Sequence, residues 1–310
     1  MKFISCKYFS LLALLCLFAS SAQAERYIDE PGVECRTRCN SYECGCNPLY
    51  CGALDFQIHG GVLPISWHDR GQFSIIQCTG TPATNPISAL FDIPKFSKFF
   101  KLPWTVGFQF GYALSDNVRV YFEFDYSQAK GKNAVSLDNG APSPFPGIPQ
   151  ITVLFNPGKY KLYDMYVGGR YYFDRWCEKL SFFLGVKAGF VHHNRVKYSS
   201  TIRRQEADEI PAVFVTFTDN VDLLKRNTVP SGGFDFGFDL CYCGNWSFVL
   251  TGGVLASCGP KSNSITFGQP AGCGQTTPQP DLPAGINNLL VGNIGAELRF
   301  PITLAARYSF

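Results

Sequence analysis

Leu290-Val291-Gly292-Asn293-Ile294-Gly295-Ala296-Glu297-Leu298-Arg299-Phe300-Pro301-Ile302-Thr303-Leu304-Ala305-Ala306-Arg307-Tyr308-Ser309-Phe310 decides the fold. Every even position is apolar or glycine, and the odd positions carry Asn293, Glu297, Arg299, Thr303, Arg307 and Ser309. Strand side chains alternate between two faces, so this segment predicts one long strand with an apolar face and a polar face. Lipid on one side and a polar lumen on the other explain such a pattern, and Tyr308 with Phe310 reads as a C-terminal signal for barrel assembly. Pro301 lies on the polar face and predicts a bulge or a local break in pairing. A two-residue turn there would reverse the parity, which is kept, so one strand is expected rather than two.

The same test finds seven more strands. Leu54, Phe56, Ile58 and Val62 share a face; so do Trp104, Val106, Phe108, Phe110, Tyr112 and Leu114. Ser115-Asp116-Asn117 reads as a tight turn into Val118, Val120, Phe122, Phe124 and Tyr126. Further strands run over Met165–Phe173, Leu180–Phe190, Phe234–Leu240 and Trp246–Val254. Short turns follow the second, fourth and sixth strands. Polar stretches, 64–103, 128–158, 194–230 and 257–285, follow the others, and hairpins are expected at 73–77 and 213–217. Short periplasmic turns alternating with long outer loops predict an all-β, transmembrane, antiparallel up-and-down barrel of eight strands, with both termini on the periplasmic side. Tyr112, Tyr171, Phe173, Trp176, Tyr242, Trp246 and Tyr308 would form one aromatic belt; Trp67, Trp104, Tyr126 and Tyr163 would form the other.

Lys2 and Lys7, a short apolar run and Ala22-Gln23-Ala24 read as a signal peptide over 1–24, cleaved after Ala24. A cysteine-rich periplasmic segment over 25–52 and the barrel over 53–310 would follow. Leu15 before Cys16 argues against a lipoprotein. This targeting predicts the outer membrane of a Gram-negative-type envelope, with membrane lipid and the barrel-assembly machinery as partners. Net charge is +3 with no basic cluster along the chain, which speaks against nucleic acid.

The lumen-facing set is Asp55, His59, Arg119, Glu123, Asp125, Asp164, Arg170, Lys187, Asp235, Asp239, Glu297, Arg299 and Arg307. An eight-stranded barrel is just wide enough for side chains to fill it. Paired charges packing the lumen are therefore expected. A narrow charged pathway is the alternative, with Gly107, Gly111, Gly168, Gly185, Gly189 and Gly237 leaving room. His193 with Asp219 or Asp222 could be drawn as a rim site, but no motif fixes a nucleophile, so no enzyme and no cofactor are expected.

Cys35, Cys39, Cys44, Cys46 and Cys51 precede the barrel. Cys177, Cys241 and Cys243 fall in periplasmic turns, and Cys78, Cys258 and Cys273 in outer loops. An oxidising compartment predicts disulfides, and the N-terminal spacings lack the paired form of structural zinc sites, so no metal is expected. Cys258 and Cys273 could close their shared loop. Cys78 is a candidate for an unpaired thiol, and the odd number of exported cysteines leaves one for an intermolecular bond, with a second copy or another envelope protein.

Cys44-Gly45-Cys46-Asn47-Pro48-Leu49-Tyr50-Cys51-Gly52-Ala53-Leu54-Asp55 resembles the start of chlamydial major outer membrane proteins, where a close cysteine cluster runs into the first strand. That resemblance implies a disulfide cross-linked wall that stiffens the envelope, and porin activity. This chain departs in being shorter, with half the strands. It also resembles small eight-stranded membrane barrels, which serve as anchors, adhesins or surface-exposed structural proteins. The expected function is a structural outer-membrane barrel held by disulfide cross-links; a porin, or surface recognition by the loops, are the alternatives.

Overall fold

The computed structural model of the chain describes residues 51–70, 72–77, 87–92, 95–133, 135–138, 151–173, 180–205, 214–243, 245–260, 264–265, 286–290 and 294–310. The expected signal peptide over 1–24 and most of the expected cysteine-rich segment over 25–52 lie outside these residues. The described elements are β1 (Leu54–Val62), β2 (Ile65–Arg70), β3 (Gln72–Gln77), β4 (Ile87–Asp92), a one-turn helix α1 (Phe96–Phe99), β5 (Trp104–Ala113), β6 (Val118–Ala129), β7 (Val135–Asp138), β8 (Ile151–Pro157), β9 (Tyr160–Tyr172), β10 (Leu180–His193), β11 (Val196–Gln205), β12 (Phe214–Leu224), β13 (Asn227–Cys243), β14 (Trp246–Cys258), β15 (Ser264–Ile265), β16 (Ile286–Leu290), β17 (Ile294–Arg299) and β18 (Ile302–Ser309).

Eight of these close into a barrel. β1, β5, β6, β9, β10, β13, β14 and β18 follow one another in space as in sequence, each antiparallel to the next, and β18 returns to β1. The closing seam runs from Asp55 opposite Ser309 to Val62 opposite Ile302, and Phe310 N donates to Leu54 O at 2.8 Å. The wall faces outward with apolar side chains that a soluble protein would hide: Ile58, Val167, Phe234 and Leu304 are each more than half exposed. A closed barrel with this exterior spans a membrane, since closure satisfies every backbone group inside the wall. No helix among the described residues is long and apolar enough to cross a membrane.

Turn chemistry fixes the first hairpin. Ser115 Oγ accepts from the backbone N of Val118 at 3.1 Å, and Asn117 Nδ2 donates to Tyr172 O at 2.9 Å, which stitches that turn to β9.

The last strand is less uniform than expected. β16 does not run on into it; it pairs with β3 and β15 in another sheet, so the barrel strand starts at Ile294. Ile294 is itself buried, and the even-outward parity holds only from Ala296. The parity is not disturbed at Pro301. Ile302 opposes Gly252 on β14 and Arg299 opposes Leu255, so pairing resumes in register without a bulge. β1 and β2 are interrupted at Pro64 in the same place, and Phe300 N donates to Pro64 O at 2.9 Å across the gap.

The long stretches are not simply polar loops. β7 and β8 join β11 and β12 in one four-stranded sheet, and β15 and β16 join β3 and β4 in another. Of the stretches where hairpins were expected, 73–77 lies in β3, which pairs with β4, and 214–217 lies in β12, which pairs with β11; residue 213 lies outside the described residues.

Candidate functional site

The lumen is the place where the chain concentrates chemistry. All thirteen residues expected to line it are directed inward, and the strands bring most of them into specific pairs. Nearest the periplasmic turns, Ala53, Ala113, Tyr172, Phe183, Val249 and Ala305 form a buried hydrophobic cluster. Just above it, Arg307 pairs with Asp239 and donates to Tyr172 Oη at 3.0 Å. Arg119 forms a two-armed pair with Asp55 and donates to Gln109 Oε1 at 2.6 Å.

At the next level Arg170 binds Asp235 through Nε at 2.7 Å and Nη2 at 2.6 Å, while Tyr121 donates to the same carboxylate at 3.1 Å. The Arg170 guanidinium also lies over the rings of Tyr121 and Phe183, 4.6 and 4.5 Å from their centroids. Lys187 pairs with Glu123, whose other oxygen accepts from Gln109 Nε2 at 2.6 Å. His59 donates to Asp125 beside them.

Higher still, Arg299 holds both oxygens of Asp164 through Nη1 at 2.8 Å. Its Nη2 reaches Tyr166 Oη at 2.8 Å and Ser231 Oγ at 2.7 Å. Glu297 accepts from Tyr160 Oη at 2.6 Å and Trp67 Nε1 at 3.1 Å. The one Tyr160 hydroxyl proton is donated in the bond to Glu297, so the Tyr160 oxygen accepts from His193 Nδ1–H at 2.9 Å. Over this end sits an aromatic cap. Phe96, Phe99 and Phe100 are at most 3 % exposed, and Trp67 meets Phe96 edge-on at 5.1 Å. The cap is strapped to the wall where Lys132 N donates to Phe99 O and Lys101 N to Lys130 O, each at 2.8 Å.

Several expectations are corrected here. The inward glycines do not leave room for a pathway. A Cβ on Gly111 would fall against the Arg119 guanidinium, one on Gly107 against the Asp125 carboxylate, and one on Gly185 against Asp235. These glycines clear space that charged side chains already occupy. Trp67 is no part of a lipid-facing belt; it is buried inside and bonded to Glu297. His193 points into the barrel toward Tyr160, while the backbone of Asp219 is paired with Ser200 and that of Asp222 with Lys197. Gln109, Tyr121, Tyr160, Tyr166, Tyr172 and Ser231 were not anticipated, although their odd or even phase on each strand places them inside.

Cys51 and Cys241 are each disulfide-bonded. Cys258 is instead a free, half-exposed thiol, so its expected closure with Cys273 is not formed. It ends β14 opposite Ala296 on β17, on the outward side of the wall. Cys35, Cys39, Cys44, Cys46, Cys78, Cys177 and Cys273 lie outside the described residues, as do Trp176 and the expected cleavage site.

No protein-family model matches the chain, and no curated protein matches it. Among solved structures it is similar to the attachment invasion locus protein Ail of Yersinia pestis, at 10% identity and a TM-score of 0.35, covering 84% of this chain and 99% of that one. It is similar to Neisserial surface protein A at 13% identity and a TM-score of 0.31, with the same coverages. The outer membrane protein OprG of Pseudomonas aeruginosa matches at 12% identity and a TM-score of 0.30, over 83% of this chain and 97% of that one. Likeness at this level carries no activity across.

Proposed function

We propose that this chain is a structural outer-membrane barrel that does not conduct. In this reading it anchors a cysteine-rich segment on the periplasmic side, where disulfides tie it to itself and to neighbouring envelope proteins, and it presents two β-sheets at the surface. The filled lumen is the observation that carries the reading. Apolar residues seal one end, aromatic residues cap the other, and between them Arg119, Arg299, Arg307 and Glu297 have no solvent exposure at all. A porin needs the opposite, a lumen whose charges are hydrated. The disulfides at Cys51 and Cys241 support only the part of this reading in which the chain is tied to itself.

Two measurements test this. The purified barrel in planar bilayers stays silent, and steady single-channel steps would replace this reading by the porin. Isolated outer membranes run on non-reducing gels show high-mass bands that collapse on reduction; monomer in both lanes would sink the cross-linking. The ordered loop sheets favour one second reading, surface recognition. It predicts ligand binding that disappears when residues 139–150 and 206–213 are replaced by short turns.

A further inference from the structure

The described Lys and Arg side chains outside the lumen sit at the outer end of the barrel. Part of this basic charge forms an ordered row on the lipid-facing wall. Trp104, Tyr126, Tyr163 and His192 make a continuous aromatic girdle across β5, β6, β9 and β10, with successive ring centroids 5.4, 5.2 and 6.2 Å apart. Such a girdle marks the boundary between hydrocarbon and headgroups. Continuing the same outward phase past it gives Lys130 and Lys132 after β6, Lys161 and Lys159 on and before β9, and Arg226 before β13. The rows are in register, since Gln128 opposes Lys161.

Lys130, Lys132 and Lys159 are exposed, Lys161 half-exposed, and none of the four ammonium groups has an ion-pair partner among the described residues. Arg226 is held in place: its Nε donates to His192 Nε2 at 2.9 Å, and the His192 Nδ1 proton goes to Thr228 Oγ1 at 2.7 Å. Arg226 is otherwise exposed, and its guanidinium has no ion-pair partner among the described residues. At about 3.3 Å per residue and a strand tilt of about 40°, Lys161 and Lys130 stand about 5 and 10 Å beyond the girdle along the membrane normal, within reach of headgroup phosphates for long side chains lying back along the wall.

We propose that this row is a docking surface for phosphate-bearing lipid headgroups of the outer leaflet. Lysines reach such a phosphate as mobile point charges with apolar stems along the wall, and Arg226 supplies the oriented fork. The position beside the girdle selects a membrane lipid over a soluble anion, because only a headgroup is delivered at that depth by its own acyl chains. Each cation close to an anionic headgroup layer strengthens binding about fivefold.

The test uses the full-length barrel in mixed micelles containing diphosphoryl lipid A and its dephosphorylated form, with lipid counted after recovery of the protein. Wild type retains the diphosphoryl form in preference. Lys130→Gln, Lys132→Gln, Lys159→Gln, Lys161→Gln and Arg226→Gln each reduce that preference by about fivefold at most, and the combined variant loses it. Replacing the four lysines by Arg retains it. Heat-modifiable gel migration reports whether each variant is still a closed barrel, which separates failure of the site from failure of the fold. Equal retention of both lipids by wild type, or unchanged preference in the combined folded variant, would overturn the proposal. So would full displacement by millimolar inorganic phosphate, which would mark a free-phosphate site. Lysine-dependent binding of a sulfated polysaccharide without lipid preference would make the partner a soluble polyanion instead.

Discussion

Asp235→Ala leaves the Arg170 guanidinium in place without its counter-charge. Both side chains are at most 2 % exposed, and Arg170 gives Asp235 two of its hydrogen bonds. Water cannot take over from the carboxylate, since Tyr121, Phe183 and Gln109 surround the cation. Removing one member of such a buried pair costs about 3–5 kcal/mol. The rings above and below Arg170 soften this, while the orphaned Tyr121 hydroxyl adds to it, by about 1 kcal/mol each way. With a urea slope of about 2 kcal/mol/M, the unfolding midpoint falls by about 2 M. Tryptophan emission in detergent, checked by heat-modifiable migration, reads the shift. The double variant Arg170→Met with Asp235→Ala removes both charges and recovers most of the loss, because a similar apolar volume replaces the pair. If the two single losses simply add in the double variant, the pair is not the unit that holds this level together, and the reasoning fails.

Gly111→Ala places a methyl against Arg119 and Asp55 and destabilises by about 1–3 kcal/mol, whereas a Cβ on Gly60 comes no nearer than 3.7 Å to Thr105 O, so Gly60→Ala shifts the same urea midpoint little. Phe99→Ala empties a site 1 % exposed in the aromatic cap and costs about 3–5 kcal/mol by the same assay. Without reductant, a maleimide modifies the folded barrel at Cys258, and Cys258→Ser abolishes that adduct in peptide mass spectra; an unmodified Cys258 in the folded wild type would contradict the free thiol.

The strands were legible because their phase is a direct imprint of two solvents. Lipid demands an apolar side chain at Phe234, Phe236 and Phe238, and the lumen accepts Asp235 and Asp239 between them. Strand count and the inward set follow from that alone. The partners inside do not, since Arg299 meets Asp164 across 135 residues of chain and only the stagger of the closed barrel brings them level. Phase also cannot say which sheet a strand joins, which is why Leu290 looked continuous with Ile294. Trp67 could have been found: odd residues face inward from Asp55 onward, and the parity survives Pro64. The glycines misled because an absent side chain reads as space in one dimension, while in three dimensions the neighbouring strand's arginine or aspartate has taken it.

The lumen pairs also set an order of events in assembly. Arg119 with Asp55, Lys187 with Glu123 and Arg170 with Asp235 each join residues about one hairpin apart in the wall and can form as strands are added. Arg307 with Asp239 has the same spacing, across β13, β14 and β18. Asp164 differs: its partner Arg299 comes from β17, 135 residues away and several strands around the wall. Until the last strand arrives, that carboxylate faces an unfinished interior, so an almost-complete barrel is penalised and the finished one is reached cooperatively.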